Sequence, residues 1–322
     1  MRPALTVAVP TYNRAKLLDQ QLAWLSRALQ GHEQSCEILV SDNASNDETP
    51  VVVERWRKRL TDRGATVRLN RNEENVGAIR NIASCITRAR GRHVWTVGDD
   101  DLIEDGALAY VLEQLREAPD LALLTLNFSS RLVTTGELRF ERCYEIEDDA
   151  VHADGRELFM RCLEHDPGGV ALTTAQVYRS DLAGQAIRQW RLGLHNLVTQ
   201  IYWTGFCAAN GPVKVTRETH LECAAGTHFF VGNPRLSYKL DLGDTSELYA
   251  RLAKTGYPAD RCLRLARKQL RGAKRRLATG VLRWPATGAA AMLRVGTSLV
   301  SLSARATLAG RAGPTTRSSA SV

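Results

Sequence analysis

The sequence predicts an α/β fold with a mostly parallel, doubly wound sheet and helices on both of its faces. Through the first 120 residues, short apolar runs alternate with longer segments whose apolar residues recur at helical spacing. Each of four apolar runs is followed by a polar cluster, and these clusters occupy 10–14, 42–47, 70–77 and 98–101. Because ligands bind outside the carboxyl ends of the strands in such sheets, we expect the four clusters to form one site.

The individual elements follow from composition, in chain order. Pro10 is expected to stop the first strand and Asn13 to cap the first helix. The predicted strands span 5–9, 36–41, 65–69, 93–97 and 121–126, and a hairpin is predicted around Gly136 within 131–146. The predicted inward faces of the first three helices comprise Leu18, Leu22, Leu25 and Leu29; Val52, Val53, Trp56 and Leu60; and Ile79, Ile82, Ala83 and Ile86. The third helix should run from 76 to 90, and a fourth should end near Glu117.

Three consecutive aspartates, Asp99, Asp100 and Asp101, follow the fourth strand. Neighbouring carboxylates repel one another by on the order of a kcal/mol per exposed pair, and by more where water is excluded. Capping of a following helix would explain one or two of them, Asp101 ahead of Leu102 foremost. A divalent cation would explain all three, because Mg²⁺ and Mn²⁺ prefer oxygen ligands. The cluster therefore favours a metal site.

Four motifs occur at the predicted strand ends in a definite order. They are Pro10-Thr-Tyr-Asn-Arg14, Ser41-Asp-Asn-Ala-Ser-Asn-Asp-Glu-Thr49, Asn75-Val-Gly-Ala-Ile-Arg-Asn81 and Gly98-Asp-Asp-Asp101. In order and spacing they resemble the successive motifs of a family 2 glycosyltransferase with the GT-A (nucleotide-diphospho-sugar transferase) fold, over roughly residues 4–120. Within that family the chain looks most like bacterial enzymes that build O-antigen and other surface polysaccharides, including the abequosyltransferase-like group.

The resemblance implies that residues 1–120 bind a nucleotide-sugar donor carrying UDP, CDP, GDP or dTDP. It places Thr11, Tyr12 and Asp42 at the nucleotide base and Arg80 on the nucleotide side. Asp42 as a turn residue and Arg80 as a solvated helix charge are the alternatives. The implied donor-binding residues are Pro10, Thr11, Tyr12, Arg14, Asp42, Asn75, Gly77, Arg80, Asp99 and Asp100.

The aspartate run corresponds to the family's DxD element, in which carboxylates hold Mn²⁺ or Mg²⁺ on the donor diphosphate. Asp99 and Asp101 satisfy the DxD spacing, and Asp100 is an alternative ligand. His228 is a further metal candidate on the C-terminal side of the chain.

The second half, 121–257, is predicted to bind the acceptor, where transfer needs a general base near the incoming hydroxyl. In many relatives the base is the aspartate of a Glu-Asp pair that heads a helix in this half, and that pair is absent from the corresponding stretch here. The corresponding stretch offers His195, although a histidine on an apolar helix is more often structural. Asp166 and Asp181 are the alternatives.

Composition favours a cytoplasmic protein of 322 residues. The seven cysteines are scattered without a Cys-x-x-Cys pair, so we expect buried thiols rather than disulfides or zinc ligands. Met1-Arg-Pro leads directly into the first strand, which leaves no room for a signal peptide. No uninterrupted apolar stretch reaches about eighteen residues, so no transmembrane helix is predicted.

The C-terminal part of the chain is strongly basic. From Arg261 onward there are 13 Lys and Arg residues and no acid, whereas residues 1–260 carry a net charge of −5. Apolar residues at helical spacing within 258–304 predict a basic amphipathic helical tail that binds an anionic membrane surface, making the protein peripheral on the inner face of the membrane. The alternatives are a helix packed on the body of the protein and a nucleic-acid contact, which no aromatic pattern supports. Beyond about 305, small and polar residues predict disorder through 322.

The expected function is metal-dependent, inverting transfer of a sugar to a hydroxyl of a glycan or lipid-linked glycan, in the synthesis of cell-surface polysaccharide. One alternative is a sugar nucleotidyltransferase, which would carry a glycine-rich loop with Arg where this chain has Pro10-Thr-Tyr-Asn-Arg14. Another is a catalytically silent GT-A scaffold at the membrane.

Overall fold

A computed structural model describes residues 2–226, 232–273, 279 and 281–311. The chain forms two compact units, an N-terminal unit, Met1–Val231, and a C-terminal unit, Gly232–Val322. The boundary predicted between 257 and 258 therefore lies inside the C-terminal unit.

The N-terminal unit contains nine strands and eight α-helices among its described residues. The strands are β1 (Leu5–Thr11), β2 (Cys36–Asp42), β3 (Thr66–Arg71), β4 (His93–Thr96), β5 (Leu102–Ile103), β6 (Leu123–Leu132), β7 (Leu138–Phe140), β8 (Gln176–Arg179) and β9 (Val213–Ala225). The helices are α1 (Ala15–Ala28), α2 (Thr49–Asp62), α3 (Ala78–Arg88), α4 (Ala107–Glu117), α5 (Arg156–His165), α6 (Pro167–Ala171), α7 (Ser180–Gln189) and α8 (Thr199–Ala209). Short 3₁₀ turns cover Thr173–Ala175 and Arg191–His195.

The strands form one mixed sheet in the order β3-β2-β1-β4-β8-β6-β9-β5, with β7 paired to β6. Strands β1 to β4 are parallel, as predicted, and β6 is parallel to β9. Strand β8 is antiparallel to both of its neighbours, β4 and β6, and β5 and β7 also pair antiparallel. The predicted α/β fold is thus confirmed, and the sheet is mixed in its second half.

Register places the carboxyl ends of β1, β2 and β3 beside one another. The Cα partner of Thr11 is Asp42, and the partner of Asp42 on its other side is Arg71. The inward faces of the helices, including Leu18, Leu22 and Leu25 of α1, are buried against this sheet layer. The fold therefore brings the predicted polar clusters to one edge.

The start of α1 differs from the prediction. Strand β1 continues through Pro10, and Arg14 rather than Asn13 precedes the first helical residue. Asn13 has a φ of +50°, a left-handed conformation that asparagine tolerates, and its side-chain oxygen accepts a hydrogen bond from the Asn46 backbone at 2.9 Å. Asn13 therefore ties two loops together instead of capping the helix.

The aspartates do not cap a helix. Leu102 and Ile103 form β5, which pairs with Glu222 and Leu221 of β9, and α4 begins only at Ala107. The capping alternative for Asp101 is therefore wrong.

The C-terminal unit is helical in its described residues. Its elements are α9 (Pro234–Lys239), a π-helical turn (Leu240–Asp244), α10 (Thr245–Lys254), α11 (Ala259–Gly272) and α12 (Pro285–Arg311). Its core includes Tyr238, Leu242, Ala273, Ala291 and Val295. Helix α12 extends through Arg311, beyond the position near 305 from which disorder was predicted, and residues 312–322 lie outside the described residues.

Two further sequence expectations concern cysteines and membrane spans. All seven cysteines are buried thiols, as predicted. Within the described ranges, no helix combines the length and the apolar character needed to cross a bilayer.

Candidate active site

The first and fourth polar motifs are joined by direct hydrogen bonds at the end of β4. The Thr11 hydroxyl donates to Asp99 Oδ2 at 2.8 Å. The Arg14 guanidinium bridges two carboxylates, donating to Asp99 Oδ1 and to Asp100 Oδ2 at 2.8 Å each. These contacts fix both aspartates against the loop that follows β1.

Asp101 is held from the other side. Its Oδ2 accepts from the Thr174 hydroxyl, and its Oδ1 accepts from the Ala224 backbone N–H at 3.3 Å. The same Thr174 oxygen accepts from the Gly98 N–H at 2.9 Å. A Cβ on Gly98 would lie 2.9 Å from the Asp101 carboxylate, so a larger residue there would require this carboxylate to shift. Sequence reasoning missed Thr174, which lies far from the aspartates along the chain.

The aspartates form a concentrated negative charge. Asp99 and Asp101 are each 6% exposed. Burial raises the pKa of Asp99, although Arg14 opposes the shift. Burial, followed by the charge of Asp100, raises the pKa of Asp101 to about 6. With all three carboxylates ionised, the single guanidinium of Arg14 leaves two negative charges uncompensated among these four side chains.

These carboxylates fit a divalent cation that is coordinated partly by protein oxygens and partly by the oxygens of a diphosphate. In the described parts of the chain, no three Asp, Glu, His or Cys side chains converge as a complete metal site. Such a complete set is not required, because Mg²⁺ and similar ions commonly take one or two carboxylates and fill the remaining positions with water and substrate phosphate. His228 lies outside the described residues.

Asp42 has one protein partner in the second loop and one at the end of β3. Its Oδ1 accepts from the Ser45 N–H at 3.0 Å, as a turn aspartate would, and its Oδ2 accepts from Arg71 at 2.6 Å. Arg71 also donates to the Ser45 carbonyl at 2.8 Å. Each carboxylate oxygen can accept a second bond, so the turn contact does not prevent Asp42 from accepting an N–H of a ligand.

A cluster of asparagines joins the second and third loops. Asn43 Nδ2 donates to Asn75 Oδ1 at 2.7 Å, and Asn43 Oδ1 accepts from Asn72 at 2.8 Å and from the Val76 N–H at 3.1 Å. Asn75 was predicted, whereas Asn43 and Asn72 were missed. The abundance of asparagine in both loops was the available signal.

The remaining donor-side residues lie on the same edge. Pro10 lies within β1 opposite Ser41, and Tyr12 is 40% exposed just beyond that strand. Gly77 has a φ of +87°, and none of the described protein atoms lies within 4 Å of a Cβ placed on it. The backbone conformation accounts for this glycine, and its outer side is open.

Arg80 and His195 contact each other. The Arg80 guanidinium lies 3.0 Å from His195 Nε2, and both side chains are exposed. Because arginine can only donate, Nε2 is the acceptor in this bond. The contact links the first turn of α3 to the 3₁₀ turn Arg191–His195, and it occupies the lone pair that a general base would use.

Asp166 lies between α5 and α6, in a half-buried position. Its Oδ1 accepts from the Gly168 N–H at 2.9 Å, and its Oδ2 lies 3.8 Å from the Cys143 thiol. Burial raises the pKa of the Cys223 thiol to about 12, and the charges of Asp101 and Asp166 both contribute. Asp166 thus begins the short segment that leads through α6 to Thr174, the hydroxyl partner of Asp101.

The structure does not bring Asp181 to the site. Asp181 accepts from Arg179 at 2.9 Å, and Arg179 is the Cα partner of His93 at the amino end of β4. The aspartate cluster follows the carboxyl end of the same strand. Asp181 thus lies at the opposite edge of the sheet, because β8 runs antiparallel to β4.

Comparisons with known proteins agree with this geometry. Residues 6–156 match the sequence model of the family described as Glycosyl transferase family 2, and this range contains all four polar motifs. The family resemblance predicted from the motifs is confirmed.

Two similar curated proteins act on sugars, according to their names. Abequosyltransferase RfbV of Salmonella typhimurium is 29% identical over 119 residues, which cover 37% of this chain and 34% of that protein. GalNAc(5)-diNAcBac-PP-undecaprenol beta-1,3-glucosyltransferase of Campylobacter jejuni is 33% identical over 116 residues, covering 36% and 35%. The matched part of the chain thus spans about a third of the length of these relatives.

Solved structures of similar fold are GT-A glycosyltransferases. TarS 1–349 of S. aureus in complex with UDP aligns with a TM-score of 0.56 and 18% identity, covering 79% of this chain and 65% of that chain. The mannosyltransferase PcManGT of Pyrobaculum calidifontis, in complex with GDP-Man and Mn²⁺, gives a TM-score of 0.54 and 17% identity, covering 95% and 88%. At this level of identity the likeness establishes the GT-A fold.

Proposed function

We propose that this chain, which carries a family 2 glycosyltransferase domain over residues 6–156, transfers a sugar from a nucleotide-sugar donor to a hydroxyl of a glycan or lipid-linked glycan. The observation that carries the proposal is the aspartate cluster, buried at the carboxyl edge of β4 and fastened by Thr11, Arg14 and Thr174. Its uncompensated negative charge suits a divalent cation paired with a diphosphate.

We propose that the reaction depends on Mn²⁺ or Mg²⁺, which Asp99 and Asp101 would hold with Asp100 beside them. Such an ion offsets the negative charge that develops on the leaving nucleoside diphosphate. Thr11 and Arg14 keep the carboxylates of Asp99 and Asp100 oriented before the donor arrives. The complex of PcManGT with GDP-Man and Mn²⁺ supports this assignment by analogy.

On the donor side, Tyr12, Asp42 and Arg80 are proposed to contact the nucleotide. Asp42 retains acceptor capacity for an N–H of the base, and the exposed ring of Tyr12 offers a surface for stacking. TarS has been solved with UDP and UDP-GlcNAc, and PcManGT with GDP-Man. Comparison of UDP-, GDP-, CDP- and dTDP-sugars determines which nucleotide base this chain accepts.

On the acceptor side, Asp166 is proposed as the general base. It would take the proton of the acceptor hydroxyl, whose oxygen attacks the anomeric carbon as the bond to the diphosphate breaks on the opposite face. The sugar is thereby transferred with inversion of configuration. His195 is the second candidate, and its bond to Arg80 counts against it because the Nε2 lone pair is already engaged.

The test is release of nucleoside diphosphate from UDP-, GDP-, CDP- and dTDP-sugars in the presence of Mn²⁺ and candidate glycan acceptors. We expect release from one donor class to increase with acceptor and to require metal. Consumption of a nucleoside triphosphate with a sugar phosphate would instead indicate a nucleotidyltransferase. Donor binding without turnover for any acceptor would favour the scaffold alternative.

A further inference from the structure

The two units of the chain differ sharply in charge. Residues 232–322 contain 17 Lys and Arg residues and 4 Asp and Glu residues, a net charge of +13. The remaining residues carry −5. A positive charge of this size in a helical unit favours contact with an anionic surface.

The apolar face of α11 is not available to contact such a surface. Cys262, Leu263 and Ala266 are buried, and Ala273 just beyond the helix belongs to the core of the unit. Leu263, Ala266 and Ala273 belong to the apolar face that was predicted to bind the membrane, so in the described residues that face is used for packing.

Helix α12, in contrast, is apolar on two faces. One face packs inward through Ala291, Val295 and Leu302, which are buried. Leu293, Val300 and Leu308 are 69%, 71% and 66% exposed, respectively. Their spacing of seven and eight residues places them along one line of the helix, away from the buried face. A helix face in contact with water normally carries charged or polar side chains there.

The residues that lie between these three on the same face of the helix are small or uncharged. Gly296, Thr297 and Ala304 share the outer face with Leu293, Val300 and Leu308, and we call this set the outer face of α12. Thr297 directs its hydroxyl to the Leu293 carbonyl at 2.9 Å, so it adds little polarity to the surface.

Only positive charge flanks the outer face on its own helix. Helix α12 contains Arg294, Arg305 and Arg311 and no acidic residue. A cavity of about 480 Å³ lies beside the helix and is lined by Arg235, Lys239 and Arg294 together with apolar residues such as Leu236 and Ala290.

Acidic residues lie behind the lining of this cavity. The buried Asp244 accepts from Arg294 at 2.7 Å and pairs with Lys239, and Glu247 lies 3.9 Å from Arg294. Arg235 donates to the Thr287 hydroxyl at 2.8 Å. Three cations against two carboxylates leave the cavity positive.

We propose that the outer face of α12 is a membrane-docking surface that inserts its apolar side chains into the headgroup region of an anionic bilayer. Arg235, Arg294 and Arg305 would then contact lipid phosphates beside it. The combination of an apolar strip with flanking cations is typical of helices that lie in the interface. A second copy of this chain is a poorer partner for this face. Two such faces in contact would bring Arg294 and Arg305 of both copies close together, and their positive charges would repel.

This surface gives a lipid-linked acceptor a place to meet the enzyme, and in that respect the inference rests on the proposed function. Docking itself requires no catalysis, so it is measured independently. If vesicle binding fails while sugar transfer is observed, the inference alone is wrong. If the protein docks but transfers no sugar, the proposed function alone is wrong.

The experiment is co-sedimentation of the full-length protein with vesicles of phosphatidylcholine alone or of phosphatidylcholine and phosphatidylglycerol in equal amounts. We expect binding to the anionic vesicles only, weakened by added salt. The triple variant Leu293→Gln, Val300→Gln, Leu308→Gln should bind about tenfold or more weakly, because three apolar contacts with the bilayer are lost. The double variant Arg235→Gln, Arg305→Gln should lose much of the preference for anionic vesicles.

The matched controls are Leu192→Gln and Arg116→Gln, exposed positions in the N-terminal unit that should leave binding unchanged. Hydrogen exchange of the unaltered protein provides a readout that needs no variant, and vesicles should protect the backbone of 289–308. Unchanged binding of the triple variant, or absence of that protection, would overturn the proposal. So would a dimer in sedimentation velocity that the triple variant dissociates without any loss of vesicle binding.

Discussion

The proposed donor and acceptor sides of the candidate site are built differently. On the donor side, loops after four strands are joined by hydrogen bonds between side chains, such as Thr11 to Asp99 and Asn43 to Asn75. On the acceptor side, Asp166 lies in a turn between two helices and His195 at the end of a 3₁₀ turn with its side chain exposed. The proposed donor-binding side chains are preorganised by these hydrogen bonds, whereas the candidate bases on the acceptor side lie on short connecting segments.

This difference has an energetic consequence. A hydrogen bond to a charged group contributes roughly 1.5–3 kcal/mol, and the donor side contains several such bonds in one connected network. Donor-side substitutions should therefore weaken donor binding whichever acceptor is offered. Acceptor-side substitutions should slow turnover and leave donor affinity intact.

The largest effect is expected at the aspartates. Asp99→Asn or Asp101→Asn should reduce sugar transfer by about 10³-fold or more, because charge stabilisation at the leaving group is lost. Thermal unfolding should be unchanged or slightly improved, since repulsion among the carboxylates is relieved. The measurement is the turnover number with saturating metal.

Asp105→Asn is the matched control for the aspartates. It changes an exposed aspartate of the same segment, paired only loosely with Arg27 at 3.4 Å, and should leave turnover intact. Normal turnover in both Asp99→Asn and Asp101→Asn would show that the aspartate cluster is not the metal site.

The second prediction concerns the acceptor side. Asp166→Asn should lower the turnover number by about 10²–10⁴-fold, the range expected for loss of a general base. The dissociation constant of the donor should not change, because the donor network is untouched. Steady-state kinetics combined with calorimetry separates the two quantities.

His195→Gln is the companion variant to Asp166→Asn. It keeps a polar side chain beside Arg80 and should lower turnover by less. If the order of the two effects is reversed, His195 is the base and Asp166 is a turn residue.

A smaller effect is expected at Asp42. Asp42→Ala should raise the donor dissociation constant about tenfold or more. Turnover at saturating donor should change less, because the nucleotide base is remote from the glycosidic bond that breaks. Arg71→Met tests whether this effect arises indirectly, since Arg71 pairs with Asp42 at 2.6 Å. If Arg71→Met weakens donor binding as much as Asp42→Ala does, Asp42 acts by holding the conformation of its loop.

The smallest effect on activity is expected at the opposite edge of the sheet, where His93 is buried with Nε2 at 2.8 Å from the Leu121 carbonyl. Burial lowers the pKa of His93 to about 4. Below about pH 6.5 the unfolded chain takes up a proton that the folded protein does not. The contribution of His93 to stability should therefore fall as the pH drops from about 6.5 to about 4, by up to about 3 kcal/mol, whereas the raised pKa of Asp101 acts in the opposite direction over this range.

His93→Gln provides the comparison for this pH dependence. Denaturant unfolding over the same range should show that the unaltered protein loses more stability on acidification than the variant does, with donor affinity at pH 7 unchanged. Equal pH dependence in the two proteins would show that His93 does not titrate as described.

Local sequence was sufficient to predict that the loops after the parallel strands meet at one place. A strand and the loop that follows it are contiguous, so Pro10-Thr-Tyr-Asn-Arg14 and Gly98-Asp-Asp-Asp101 are visible as single motifs. Parallel register then brings their ends together with no further information. The bridge from Arg14 to two aspartates follows from that proximity, although its geometry required the structure.

Long-range pairing accounts for what was missed. Thr174 reaches Asp101 from a segment that precedes β8, and the position of Asp181 depends on β8 running antiparallel to β4. Neither direction nor order of that strand is encoded in its four residues. Likewise, helical spacing in α11 predicted an apolar face, and only the packing of the C-terminal unit shows that this face is buried.

The most direct test of the account is calorimetric titration of UDP, GDP, CDP and dTDP into the full-length protein with and without Mn²⁺. We predict that at least one nucleoside diphosphate binds, that binding requires the metal, and that Asp101→Asn abolishes it while Asp105→Asn does not. Binding of the same nucleotide by Asp101→Asn with unchanged affinity and no need for metal would contradict the assignment of the metal site to the aspartate cluster.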